Sequence, residues 1–424
     1  MTAHHPPPVP GQCPTHPAAP PAAGPTPIYG PAFDADPHAT YRELREQGPV
    51  AWVEISRGVC GYLAVSYWAA LHLLRHTPQW FAKDPTHQWA ALRDGQVPAD
   101  SPALMMMQPR DNALWRDGAE HQRLRGAITS ALARIDTYAV TDAVNRAADR
   151  LLDAFSASGL SDLVSQFADP LPTMSVIDLF NAPPELGSRI VQHVTTLFAA
   201  GPDAMEANVL LEAACLELVQ LKRARPGRDV VTYLIQAGLS DAELVQTLLL
   251  LFGAAAPPTA AAIARTLQRY LTDPGFAGNV LSGVRPVNTA LDEVLWDDPP
   301  VSNYSPLYAR TAQNVLGVVV QPGHPILISF AAANADPVLG LAPGDRAGNR
   351  GHIAFSAGPH ACPAPNLARL IVETAVERLL DRLSGLALTI APQGVPNRPG
   401  TFLSGPAVLP VHFTAGFTPN GRRP

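Results

Sequence analysis

The stretch His352-Ile-Ala-Phe355-Ser-Ala-Gly358-Pro-His360-Ala-Cys362-Pro-Ala-Pro-Asn-Leu-Ala-Arg369 decides the fold. It runs into Leu370-Ile-Val-Glu-Thr-Ala-Val-Glu-Arg-Leu-Leu380, whose apolar residues recur at helical spacing. A cysteine therefore sits at the end of a glycine-containing loop, where a helix begins. A helix N-terminus carries a positive partial charge, which favours a thiolate over a thiol, and the thiolate is the metal-ligating form. Pro363 and Pro365 suit a first turn, whose early N–H groups lack intrahelical partners. Cys13, Cys60 and Cys215 have no such setting and read as small buried hydrophobes. Four scattered cysteines offer neither a disulfide framework nor paired metal-ligand spacing, which suits a reducing cytoplasm.

Outward from this loop, the chain has 424 residues, 47% of them hydrophobic and 16% charged. That length buries a large core. The net charge of −6 gives no basic excess for nucleic acid or an anionic membrane. The opening Met1-Thr-Ala-His-His-Pro-Pro-Pro is not a signal peptide by pattern. Residues 1–28, rich in Pro, Ala, Gly and His, read as a disordered tail, residues 29–418 as one domain, and 419–424 as a frayed end. Thr247 to Ala264 is 18 residues without a charge, long enough to span a bilayer. Pro257-Pro258 within it, and a content of nearly half Ala and Gly, favour a buried core helix and no membrane span.

Helical periodicity predicts helices over 33–48, from Trp68 to Arg75, through most of 117–238, and over about 286–296 and 366–383. Ser240-Asp-Ala-Glu243 is a capping box opening the long apolar helix. Alternation predicts strands at 50–55, 61–65, 318–320, 325–330, 386–390 and 408–413, and 82–110 reads as irregular. The class is mainly α with a small antiparallel β region.

The cysteine loop resembles the haem-binding loop of the cytochrome P-450 superfamily: Phe355, Gly358, His360 and Cys362 match its pattern, while Ser356 and Ala364 replace two glycines. The resemblance extends over about Ala32 to Thr414. It implies the cytochrome P-450 fold, a haem b (iron protoporphyrin IX) clamped between two helices, and Cys362 as axial ligand of the iron, a thiolate that donates electron density to it. Asp117-Gly-Ala-Glu-His121-Gln-Arg-Leu-Arg125 resembles the helix that holds the haem propionates. His121 and Arg125, four apart, share one face. Arg310 and His360 match further propionate partners, and His352 is a weaker candidate.

Two departures bear on function. The family pairs a Glu with an Arg three residues later. Here Glu293 is kept and Trp296 replaces the Arg, an absence shared by an atypical actinobacterial group. A buried carboxylate without its cation is costly, so Glu293 must find another partner, be hydrated or stay protonated, and Arg346 and Arg350 are the candidate partners. In the long helix, Ala254-Ala-Ala-Pro257-Pro258-Thr259 aligns with the family's acid–alcohol motif. The acid becomes Pro257 and the first alcohol Pro258, so Thr259 is the remaining hydroxyl for a proton relay.

The resemblance implies a haem-thiolate monooxygenase that hydroxylates a small apolar molecule, in secondary metabolism, with electrons from a ferredoxin and its reductase. Trp89, Met106, Ala254, Ala255, Leu307 and Phe402 are the expected substrate contacts. The alternative is a haem protein with weak or no dioxygen activation, driven by peroxide or serving as a partner or sensor.

Overall fold

The computed structural model describes residues 24–198 and 203–415. Helices dominate, and the longest is the central helix Asp241–Thr272. Its start follows from the sequence. The Ser240 hydroxyl accepts the Glu243 N–H at 3.3 Å, and the Glu243 carboxylate accepts the Ser240 N–H at 2.8 Å. These two bonds are the reciprocal capping box.

The rest of the helix is covered by its neighbours. Ile263 and Leu267 pack in one core cluster with Val144, Phe167 and Ile371, and Leu248 and Phe252 in another with Phe180 and Leu218. The helix is long and apolar enough to cross a membrane, yet 61% of its most apolar window is buried inside the protein. Pro257 and Pro258 lie inside it without ending it. Proline has no N–H to bond the carbonyl four residues back, so the carbonyls of Gly253 and Ala254 lose their helical donors. Past the first two residues of this helix, only Ala254 is exposed.

The largest sheet has six strands, ordered Thr26–Pro27, Val50–Ser56, Val59–Ala64, Pro325–Ser329, Asn303–Ala309 and Phe81–Ala82. It is mixed, not purely antiparallel. Val59–Ala64 runs parallel to Pro325–Ser329. These two strands are joined through most of the helical body, a connection long enough for parallel pairing.

Other boundaries shift for local reasons. The helix expected over 33–48 is two, Pro31–Ala35 and Pro37–Gln47. Asp36, which precedes a proline, leaves the helical region with φ −147°. The stretch 82–110 contains two short helices, Ala90–Arg93 and Pro102–Met107. The last strands shorten to Ala387–Leu388 and Pro410–His412. Of the tail expected over 1–28, residues 1–23 lie outside the described residues. Thr26–Pro27 already pairs with Val53 and Glu54, so ordered structure begins before the expected boundary. The expected frayed end, 419–424, also lies outside the described residues.

Candidate active site

The cysteine loop is shaped by its own backbone. The Cys362 N–H donates to the Phe355 carbonyl at 2.8 Å, which closes the turn. Gly358 has φ 69°. A Cβ there would lie 2.2 Å from the Leu74 carbonyl oxygen, at the end of the helix Tyr67–Arg75. Ser356 is also left-handed, at φ 63°, and its buried hydroxyl has no partner. A non-glycine residue in that region costs about 1–2 kcal/mol. Ser356→Gly should therefore raise stability by about 1 kcal/mol, after the entropy glycine gives to the unfolded chain. Chemical unfolding of the haem-loaded protein checks this, and a midpoint no higher than that of the unmodified protein contradicts it.

The helix after the loop, Pro365–Arg382, is capped by Ala364. Pro365 is in the first turn as expected, but Pro363 lies outside the helix, and Cys362 is two residues before the cap. The Ala364 N–H donates to the Cys362 Sγ at 3.4 Å. Burial raises the pKa of the thiol; the Ala364 N–H and the Arg125 charge pull it down without offsetting burial. The N-cap residue Ala364 thus brings the helix terminus to the sulfur, and burial is the larger effect on the thiol. A coordinated cation removes such a proton itself. Cys362 is partly exposed, whereas Cys215 is fully buried, its pKa pushed up to about 12 by burial. Cys60 is buried as expected but held in a disulfide, which its isolated spacing did not predict.

The helix Gly118–Leu132 carries His121 and Arg125. The His121 and His360 rings lie 3.9 Å apart. Burial, with the charges of Arg125 and Lys83, lowers the pKa of His121; burial first, then Lys83, His121 and Arg125, take His360 down to about 2. The His121 Nε2 is buried without a partner. Arg125 is half-buried, its pKa lowered by burial with Cys362 acting the other way, and no carboxylate pairs with it among the described residues.

Arg310 turns elsewhere. Its guanidinium donates to the Pro78 carbonyl at 2.8 Å and to Asp117 Oδ2 at 3.4 Å. Asp117 also lies 3.9 Å from His360 Nε2. Burial raises the Asp117 pKa despite the Lys83 N–H and the nearby cations.

Sequence reasoning missed Lys83 and Asp117. Lys83 is fully buried, donating to the Pro306 carbonyl at 2.9 Å and Ser305 Oγ at 3.3 Å. Burial takes its pKa down to about 7. A signal existed: the chain has only two lysines, Lys83 and Lys222, and both are buried.

The helix Val287–Asp297 faces the loop from the other side. Glu293 pairs with Arg285, with Arg269 of the central helix 4.0 Å away. The expected partners do not serve. Arg346 is taken by Asp297, which also accepts Arg269 at 2.8 Å, and Arg350 pairs with no carboxylate among the described residues. Arg285 lies two residues before Val287, just outside the same helix that carries Glu293. Trp296, in place of the family Arg, donates its Nε1–H to the Asn349 carbonyl at 2.8 Å. His352 does not join the His121–His360 cluster; it lies against Asp292 and Arg369.

The expected substrate contacts divide. Trp89, Met106 and Phe402 pack in one cluster, Leu307 in another, and Ala255 borders a third. Ala254 faces open space, and Thr259 is buried one turn further on.

A half-buried thiol, a guanidinium without a carboxylate and a buried imidazole nitrogen without a partner fit a haem: one ligand for its iron and donors for its carboxylates. No family model matches the chain. The 2-hydroxy-5-methyl-1-naphthoate 7-hydroxylase of Streptomyces carzinostaticus is 29% identical over 394 residues, 89% of this chain and 95% of that protein. The cytochrome P-450 monooxygenase PikC of Streptomyces venezuelae is 26% identical over 400 residues, 91% of this chain and 93% of that protein. The solved structure of CYP154C4 from Streptomyces superposes with a TM-score of 0.81 at 28% identity, covering 92% of this chain and 98% of that one. Fold and relatives together define a haem-thiolate monooxygenase. The chain belongs to the cytochrome P-450 superfamily.

Proposed function

We propose that Cys362 is the axial ligand of the iron of haem b (iron protoporphyrin IX), and that the enzyme hydroxylates a small apolar molecule in secondary metabolism. The carrying observation is Cys362 on its fixed loop beside an Arg125 that lacks a carboxylate. In this reading His121, Arg125 and His360 surround the haem carboxylates, Arg310 would join them only by leaving Asp117, and Phe355 packs beneath the loop. Bound haem supplies the redox and oxygen chemistry, and the protein supplies binding, orientation and electrostatics. His121 Nε2 and the Arg125 guanidinium donate hydrogen bonds to the carboxylates. Ala254 and Ala255 of the central helix border the substrate space, whereas Trp89, Met106 and Phe402 pack in one cluster and Leu307 in another. Thr259 moves the proton, aided by water held at the Gly253 and Ala254 carbonyls. Electrons come from a ferredoxin and its reductase in the cytoplasm. The naphthoate hydroxylase relative supports a small, largely apolar substrate.

The ligand assignment is tested by the absorption of the reduced carbon monoxide complex, which should show the red-shifted Soret band of thiolate ligation. The proton path has its own test. Pro257→Asp with Pro258→Thr should raise the product formed per reducing equivalent, while the unmodified protein turns over relatively better with hydrogen peroxide, which brings its own protons. Tight coupling in the unmodified protein would show that carbonyl-held water suffices. The monooxygenase relatives do not favour the alternative of weak or absent dioxygen activation.

A further inference from the structure

One guanidinium spans the base of the cysteine loop. Arg369 lies seven residues past Cys362, in the helix that leaves the loop. Its Nη2 bonds Asp292 on the helix Val287–Asp297 and sits 3.2 Å from His352 Nε2, where the loop begins. The guanidinium also lies 5.7 Å from the centre of the Phe355 ring. Asp292 is 1% exposed, Arg369 6% and His352 8%.

The hydrogen bonds of this group are ordered. The Ala354 N–H donates to His352 Nδ1 at 3.3 Å. His352 Nε2 lies 3.5 Å from Asp292 Oδ1. Arg369 and His352 thus converge on one carboxylate oxygen. Burial would raise the pKa of Asp292, but the bonds from His352 and Arg369 hold it below the usual carboxylate range. The Trp296 ring meets His352 edge-on at 5.8 Å and closes the group against the helix.

In this chain the family's Glu–Arg brace is altered. Glu293 is paired with Arg285, which makes no contact with the loop among the described residues. The Asp292–Arg369–His352 group instead holds both ends of the loop at once.

We infer that Arg369 and Asp292 are positioning residues that clamp the two ends of the Cys362 loop to the helix Val287–Asp297, the task left open by Trp296. The inference rests on the reading of Cys362 as the iron ligand. Partners behind a metal ligand fix its orientation, and losing them typically costs about 10–100-fold in metal affinity or activity. Arg369 acts through the loop and not on the iron.

The test uses the full-length, haem-loaded protein and the absorption of its reduced carbon monoxide complex, with haem-transfer rates to apomyoglobin as a second readout. Arg369→Gln and Asp292→Asn should each weaken haem retention by about 10–100-fold and convert much of the thiolate band to the unshifted band of a displaced or protonated thiol. The double variant should be no worse than the worse single. Arg285→Gln, which breaks the Glu293 pair on the same helix, serves as control: it should lower the thermal midpoint and leave the thiolate band intact. If Arg369→Gln does not fold, Asp292→Asn, which keeps the shape of the side chain, decides. A full thiolate band in Asp292→Asn and Arg369→Gln, alongside the midpoint loss seen in Arg285→Gln, would make the pair structural only and overturn the clamp. A thiolate band that survives Cys362→Ala would remove the ligand assignment, and the clamp with it.

Discussion

Cys362→Ala should abolish the red-shifted Soret band of the reduced carbon monoxide complex and reduce monooxygenase activity by more than about 100-fold, because partners one shell further out already cost 10–100-fold. The reason is the absence of a substitute thiolate among the described residues. Cys215 is buried in the helix Ala204–Ala224 among aliphatic side chains, with its pKa pushed up to about 12 by burial. Cys60 is held in a disulfide. Cys362 alone of these three is partly exposed, next to a guanidinium without a carboxylate. Cys215→Ala is the matching control and should leave the band unchanged. A band retained in Cys362→Ala and lost in Cys215→Ala would reverse the assignment.

Gly358→Ala should destabilise the protein by about 2–5 kcal/mol, the sum of a left-handed penalty of about 1–2 kcal/mol and an overpacking cost of about 1–3 kcal/mol. The obstacle is backbone: the new methyl would stand 2.2 Å from the Leu74 carbonyl oxygen and 2.9 Å from its carbon. No rotamer change relieves that contact. Either the loop lifts from the helix Tyr67–Arg75 or that helix end moves. Because the loop carries Cys362, haem retention should fall with stability. Two glycine substitutions with opposite sense thus probe one loop: adding a Cβ at 358 destabilises, and removing the side chain at 356, where φ is 63°, stabilises. An unfolding midpoint for Gly358→Ala equal to that of the unmodified protein would mean that the loop does not dock on Leu74 as described.

Several features of the site were legible in the sequence because they are local. Ser240 and Glu243 are three residues apart, and helix geometry alone brings the hydroxyl and the carboxylate to each other's N–H groups. His121 and Arg125 share a face for the same reason. The turn at Phe355–Cys362 is closed by a bond within seven residues. Pro365 falls in the first turn because its fixed φ suits that position.

Other features were not legible, since they depend on which side chain arrives first in space. Glu293 lies close in sequence to Arg285 and far from Arg346, yet both arginines have the reach and the charge. Packing gave Arg346 to Asp297. His352 reads as a haem neighbour by its place in the loop, but Asp292 and Arg369 hold it. Leu307 and Phe402 are both apolar candidates for one pocket, and the sheet delivers them to different clusters.

Residue order was enough to place the thiol, its loop and the helix that follows, together with the capped central helix and the prolines that free two of its carbonyls. These are set by bond geometry within one or two turns of chain. The tertiary structure alone decided the charge partners: the pairing of Glu293 with Arg285, the burial of Lys83, and the meeting of Asp292, Arg369 and His352 beneath the loop. The physical reason is reach. A backbone turn is fixed by dihedral angles a few residues long, whereas an arginine sweeps several ångströms and binds whichever carboxylate the packed core leaves without water.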